Sequence, residues 1–372
     1  MALRRDLRAI YGDGVSYSLM VGLGETYIPA FVLTLGMGEV AAGWIVSIPM
    51  MAGAILQLVS PAAVAWLKSR RRWVLFCASL QVLSLLAFMI AAGVGHCPGL
   101  IAFLLASLYW GANLATGPAW NTWVGHLVPR QIRPTFFARR SRACQAAIMI
   151  GTVAGGLCLH LGAEKTSAFR MFVVLFLAAA MSRAISTWFL ARQSEPRPVI
   201  ENHRIVTPLE FLHRARRGDD GRLLLYMLAV QVAVQIAGPF FTPYMLGRLE
   251  YSYLEYLVVL CTAFAAKMIA FPLAGQVARR FGSQKVLYFS GIGIVPLSAL
   301  WVFSDNLVYL LFLQVLSGMI WASYELSTFL LFFERIDESD RTRVLTAFNL
   351  ANAMAMVVGA LIGGFLLKIF GP

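Results

Sequence analysis

The stretch WVLFCASLQVLSLLAFMIAAGVG, positions 73–95, holds no charged side chain and follows directly on Lys68-Ser69-Arg70-Arg71-Arg72. A helix that crosses a bilayer needs about 20 such residues. In hydrocarbon only a helix or a closed barrel satisfies its own backbone. The stretch lacks the period-2 alternation of a barrel strand, so it reads as a spanning helix with a basic flank on the cytoplasmic side.

Ten more stretches of this kind lie on either side. The eleven expected spans are 13–36, 40–66, 73–95, 99–124, 141–163, 168–191, 222–247, 253–277, 285–304, 307–333 and 343–370. Composition agrees, with 59% hydrophobic and 13% charged residues. A water-soluble domain carries about 25% charged residues. The net charge of +13 would suggest nucleic acid in a soluble protein. Its distribution along the chain explains it otherwise. With the N-terminus inside, 25 Lys and Arg fall in inner segments, Lys165, Arg170, Arg248 and Lys368 fall outside, and Arg183 and Lys267 fall within spans. That asymmetry predicts a cytoplasmic N-terminus and speaks against a nucleic-acid partner, and the expected membrane is a bacterial-type inner membrane. The first apolar stretch is too long for a cleaved signal peptide and is expected to be retained.

Enzyme chemistry has no carrier in this sequence. His96, His126, His160, His203 and His213 are scattered, no pair has metal spacing, and neither G-x-S-x-G nor a phosphate loop occurs. No metal and no cofactor is expected. Cys77, Cys97, Cys144, Cys158 and Cys261 lack C-x-x-C spacing and read as small hydrophobes.

Two halves repeat, 1–192 and 222–372, joined by a polar cytoplasmic linker at 193–221. In the linker Thr207-Pro208-Leu209-Glu210 has the capping-box pattern. It fits either a short amphipathic helix on the inner leaflet or a solvated basic loop. At an offset of 213, Trp66 to Arg72 aligns with Arg279 to Lys285. At 208, Arg133 meets Arg341, and Gly151, Gly155 and Gly156 meet Gly359, Gly363 and Gly364. These glycines read as close helix contacts, and Pro29, Pro49, Pro118, Pro239, Pro243 and Pro272 as helix bends.

The loop Gly275-Gln276-Val277-Ala278-Arg279-Arg280-Phe281-Gly282-Ser283-Gln284-Lys285 resembles the G-x-L-a-D-r-x-G-r-k-x motif of the major facilitator superfamily. Gly275, Arg280, Gly282 and Lys285 fit, while Arg279 stands at the acidic position. The first-half copy keeps the basic run and loses both glycines. Leu127-Val128-Pro129 through Phe136-Phe137-Ala138-Arg139-Arg140 also resembles members of that family. The resemblance implies an all-α membrane bundle of two pseudo-symmetric halves, with inner-gate ion pairs at such loops, which Arg279 puts in doubt. Family members have twelve spans. The repeat calls for a further helix after Gly363-Gly364, so this chain of about eleven reads as a variant or a shortened form.

Charges inside spans are the sharpest site signal, each costing roughly 2.5–3.5 kcal/mol at the membrane centre. They are Glu25, Arg183, Lys267 and Glu325. In span 1, Ser18, Gly22, Glu25 and Pro29 share a face. The 213 offset carries them to Gln231, Gln235, Gly238 and Thr242. The resemblance implies that spans 1, 4, 7 and 10 line a central cavity, which adds Asn113, Thr116, Trp120 and Tyr324. Glu25 or Glu325 reads either as a proton-coupling or cation-binding carboxylate, hydrated and desolvated in turn as access alternates, or as half of a structural ion pair with Lys267 or Arg183. Lys267 fits an anion contact equally well. Arg183 is expected to snorkel to the cytoplasmic surface. The expected function is secondary active transport of a small molecule by a monomer in a lipid bilayer, linked to protons. Efflux of an amphiphilic compound leads, on 25 Phe and 15 Met. Uptake of a polar metabolite such as a sugar is the alternative, on Asn113, Asn121, Gln231 and Gln235, and a non-transporting sensor or scaffold is the third reading.

Overall fold

A computed structural model of the chain describes residues 2–163, 168–195, 219–241, 244–251, 253–337 and 340–370. Among them the long regular elements are all helices, as a bilayer demands of a backbone that must bond to itself. The expected first span is two helices, α1 (Ala2–Leu23) and α2 (Ile28–Thr34), parted at Gly24 by a 3-10 turn over Glu25–Tyr27. Pro29 sits in the first turn of α2, where its missing N–H costs nothing. The second span is α3 (Gly38–Leu56) and α4 (Ser60–Leu67) around another 3-10 turn. Then come α5 (Arg70–Val94), α6 (Gly99–Leu127), α7 (Arg133–Ala163) and α8 (Ala168–Arg192).

The later elements are α9 (Asp219–Ala237), α10 (Tyr253–Phe281), α11 (Ser283–Leu300), α12 (Leu307–Arg335) and α13 (Arg341–Phe370). Among the described residues nine helical stretches are long and apolar enough to cross a membrane. The other two expected spans are α1 with α2, and α11, which completes the eleven. The Thr207–Glu210 capping box lies outside the described residues.

Helix ends follow local chemistry. Ser69 accepts the Arg72 N–H at 3.0 Å to start α5. The Asn306 side chain accepts from Val308 and Tyr309 N–H groups to start α12. Gly95, at φ +73°, closes α5 in the left-handed conformation that glycine adopts without strain.

The chain forms two compact units. Unit 1 comprises Met1–Pro129, Ala147–Val206 and Glu338–Leu350, and unit 2 comprises Arg130–Ala146, Thr207–Asp337 and Ala351–Pro372. In unit 1, α8 lies on α1 and α5, and α3 on α6. Phe31, Phe88, Phe172 and Phe176 interlock there, with ring centroids 5.2–6.2 Å apart. The first 3-10 turn has its twin in unit 2, where α9 ends in a 3-10 turn over Gly238–Phe240, at the 213 offset from Glu25–Tyr27.

Glycines hold both turns in place. Lipid tails give no hydrophobic drive to helix association, so close packing carries it. In unit 1 a Cβ on Gly22 would stand 2.9 Å from the Gly151 Cα and 2.8 Å from the Thr152 nitrogen. One turn on, Tyr27 donates to the Thr152 carbonyl and its ring lies on Gly155. In unit 2 a Cβ on Gly359 would meet the Gln235 Cβ at 2.7 Å, and one on Gly363 would meet the Phe240 ring at 2.7 Å. The offsets pair Gly22 with Gln235, Tyr27 with Phe240, Gly151 with Gly359 and Gly155 with Gly363. The repeat is therefore one of contacts as well as of letters.

Gly151→Leu and Gly359→Leu should each lower stability by about 1–3 kcal/mol through overpacking. The effect is read as a lower melting temperature of the solubilised protein. Gly93→Ala is the control, because an added Cβ there meets only a Val173 methyl at 3.8 Å. Unchanged melting in both leucine variants would contradict the contact repeat.

Candidate functional site

Unit 1 gathers polar side chains from three helices around the Gly24 break. On α1, Asp13, Tyr17 and Met20 follow one another at helical spacing, and Glu25 stands just past the break. From α6, the Tyr109 hydroxyl donates to Glu25 Oε2 at 2.6 Å and lies 3.2 Å from Met20 Sδ. Tyr17 donates to Asn113 Oδ1 at 2.7 Å, one turn along the same helix. From α8, the Arg183 guanidinium covers the Tyr17 ring at 5.0 Å and donates to Ser186 Oγ at 2.7 Å. Ser186 in turn donates to Asp13 Oδ1 at 2.7 Å. Arg183 is 2% exposed. The expected snorkelling does not occur, because α1 and α8 supply buried polar partners within reach.

The break interrupts the face expected for span 1: Gly22 packs against α7, and the 3-10 turn over Glu25–Tyr27 separates Ser18 and Gly22 on α1 from Pro29 on α2. Ser18 is buried. Trp120 is half-buried on α6, and Thr116 bonds back to the Ala112 carbonyl of its own helix. Glu25 is partly buried, and Tyr109, at 0% exposure, is its hydrogen-bond partner among the described residues. A hydrogen bond to a charged group contributes about 1.5–3 kcal/mol, comparable to the cost of one charge in a span. Glu25 is thus held in place without a cation among the described residues.

Unit 2 solves the same problem with an ion pair. Lys267 Nζ on α10 lies 2.6 Å from Glu325 Oε1 on α12, with the side chains 19% and 41% exposed. Beside it on α12, Tyr324 is buried and meets the Trp321 ring edge-on at 5.8 Å. Gln231 and Gln235 are half-buried on α9, and Gln235 packs on Gly359. Thr242 lies outside the described residues.

The loop residues divide by role. A Cβ on Gly275 would sit 2.5 Å from the Ala138 Cβ, so this glycine admits the start of α7. There Phe137 stacks on Phe333 at 5.5 Å, and the Arg133 guanidinium lies over the Phe333 ring at 5.0 Å. Gly282, at φ +90°, makes the turn into α11. Arg280 lies over the Phe281 ring at 5.3 Å, whereas Arg279 and Lys285 make no hydrogen bond or ion pair among the described residues. Arg279 holds the position where the motif has an acid, and a carboxylate reaches the turn from α12 instead: Glu334 accepts from Ser283 Oγ at 2.8 Å. In unit 1, Glu195 does similar work, accepting from Ser69 Oγ at 2.6 Å and from the Arg71 N–H at 3.1 Å.

Asp13, Tyr17 and Tyr109 were not singled out in the sequence. Their signal is there: a carboxylate four residues before a tyrosine in an apolar stretch, and a tyrosine four residues before Asn113 on another span.

A break in the first helix of each half, glycine contacts repeated at fixed offsets and charges within spans describe a two-fold repeated membrane scaffold. The sequence profile of the Major Facilitator Superfamily matches residues 14–360. The chain belongs to that superfamily and is a multi-pass membrane protein, a secondary transporter that works by alternating access. No curated protein matches it in sequence. Among solved structures it is similar to a bacterial homologue of the iron transporter ferroportin in an outward-facing state, with a TM-score of 0.74 and 16% identity, covering 98% of this chain and 92% of that one. It is also similar to the human organic anion transporter MFSD10 (TETRAN), at 0.74 and 16%, covering 100% and 95%. The transporter FucP in its outward conformation gives 0.75 and 14%, covering 100% and 94%. At these identities the likeness shows the fold alone.

The ion pair in unit 2 gives a direct test. Lys267→Glu and Glu325→Lys should each lower the folded yield, and the double exchange should recover most of it. Recovery no better than the sum of the single losses would show that the pair contributes nothing as a pair.

Proposed function

We propose that the chain is a proton-linked transporter in which Glu25 carries the coupling proton. The observation that supports this most is the Glu25–Tyr109 hydrogen bond of 2.6 Å beside the Gly24 break. Structural carboxylates inside membranes are usually paired with a cation, as Glu325 is with Lys267. Glu25 has a hydroxyl instead. A hydroxyl can donate to the carboxylate and also accept from the carboxylic acid, so either protonation state keeps a partner. Protonation removes a charge that costs roughly 2.5–3.5 kcal/mol inside the bilayer, which ties proton binding to the hydration of this site. Lys267 and Glu325 are the second element, a pair that an anionic group or a proton could part.

On this reading the six-helix half 1–192 and the half 222–372 are the two moving domains, joined by 193–221. The N-terminus lies in the cytoplasm, as the 25-to-4 distribution of basic residues favours, and the membrane is taken to be a bacterial inner membrane. The protein works as a monomer. Export of an amphiphilic compound is favoured by the many Phe and Met residues. A second reading, uptake of a polar metabolite, draws support from the amides of Asn113, Gln231 and Gln235, and one structural relative is the fucose:proton symporter FucP of E. coli.

Proteoliposomes under an imposed pH gradient, screened against metabolites and amphiphilic dyes, test both. Wild type should show gradient-driven flux of at least one compound. Glu25→Gln should lose gradient-driven accumulation yet keep substrate exchange without a gradient. Tyr109→Phe should weaken coupling by the worth of the lost hydrogen bond, about 1.5–3 kcal/mol. Flux unaffected by Glu25→Gln overturns the proton assignment. Absence of gradient-driven flux for every compound overturns the proton linkage.

A further inference from the structure

The two units differ at one place where the repeat would make them alike. In unit 1 the indole of Trp73 on α5 is buried against α6, its Nε1 donating to the Ala115 carbonyl at 3.3 Å and its ring stacked on Phe76 at 5.7 Å. The 213 offset places Val286 of α11 where Trp73 stands, Phe289 where Phe76 stands and Lys285 where Arg72 stands. Helices α6 and α12 are both 29 residues long and start and end at the 208 offset, which sets Ser323 opposite Ala115. Valine cannot fill the space of an indole. Between α10, α11 and α12 a groove of about 510 Å³ opens at that point, lined by Val286, Ser323, Val277, Phe281, Phe289 and Met319.

The groove has an apolar wall and a basic rim. Its two serines, Ser290 and Ser323, turn their hydroxyls back to the Val286 and Met319 carbonyls of their own helices, so neither offers a free donor. Phe289 is 69% exposed, and Ile292 and Val295 continue the same apolar surface along α11. At one end stands Lys285, and the Arg280 guanidinium lies 5.3 Å from the ring centre of Phe281, which lines the groove. No carboxylate lines the groove, and the nearby Glu334 is engaged by Ser283. An apolar slot with a cluster of cations at its mouth is complementary to one amphiphile above others. We propose that this groove binds an anionic phospholipid, with an acyl chain along Val286 and Phe289 and the phosphate at Lys285 and Arg280. Its volume lies within the roughly 300–1,000 Å³ of ordinary ligand sites. The site is independent of the proton assignment.

Native mass spectrometry of the full chain, released from nanodiscs of equal phosphatidylglycerol and phosphatidylcholine, reads the bound lipid by mass. Wild type should retain phosphatidylglycerol in preference to phosphatidylcholine. Val286→Trp rebuilds the unit 1 arrangement and should abolish retention while melting temperature and gel-filtration profile stay as in wild type. Lys285→Gln changes only an exposed side chain and should lower the phosphatidylglycerol preference about fivefold, the weight of one basic residue at an anionic surface. Equal retention in Val286→Trp, an undiminished preference in Lys285→Gln, or a dimer of the chain in place of a lipid adduct would each overturn the proposal. If Val286→Trp does not fold, the Lys285→Gln result decides alone.

Discussion

The first and fifth long spans of each half approach where a glycine on the fifth leaves room, and much else in the structure depends on that contact. Gly22 on Gly151 brings α1 onto α7, and Gln235 on Gly359 brings α9 onto α13. A bilayer gives helices little reason to associate beyond van der Waals contact, so these glycines do the work that buried apolar area does in water. Just past the contact each first helix leaves α geometry for a 3-10 turn, at Glu25–Tyr27 and Gly238–Phe240. The turn is clamped by an aromatic side chain, Tyr27 or Phe240, lying on the next glycine of the partner helix. A helix interruption inside a membrane persists only where neighbours re-satisfy or shield it, and the neighbouring helix does so in both units.

From the same scaffold the two units handle charge differently. In unit 1 Glu25 rests on the Tyr109 hydroxyl, while Ser186 links Asp13 with Arg183 and Arg183 covers Tyr17. Unit 2 neutralises directly, Lys267 against Glu325. A hydroxyl-linked carboxylate can change its charge without leaving a neighbour unpaired. Parting a salt bridge within a span exposes two charges at once. This contrast is the reason to place proton carriage in unit 1.

Much of this was legible in the residues. Apolar run length gave the spans, and the spacing of Gly151 and Gly155 from Arg133, repeated from Arg341, gave the two halves. Glu25, Lys267 and Glu325 stood out because charge is rare in lipid. Other features stayed hidden for physical reasons. Gly24 is one of 31 glycines, and nothing local distinguishes one that breaks a helix from one that packs it. Arg183 lies near a span end, where snorkelling is the default, and only the helices beside it reveal that Asp13, Ser186 and Tyr17 hold it inside. Periodicity names the face of Ser18 and Gly22 but not the helix that face meets, and that helix proved to be α7. The exchange of Trp73 for Val286 is visible once the halves are aligned, yet its consequence is a volume, which letters do not carry.

On the proposed reading Glu25 takes up and releases a proton while Tyr109 keeps it in place. Difference infrared spectroscopy of the reconstituted protein between acid and alkaline pH reads this without knowledge of the substrate. The wild-type protein should show a protonated carboxyl band that disappears on alkalinisation, shifts in Tyr109→Phe and is missing in Glu25→Gln. A band that survives unchanged in Glu25→Gln, or no titrating carboxyl band in the wild-type protein, would contradict it.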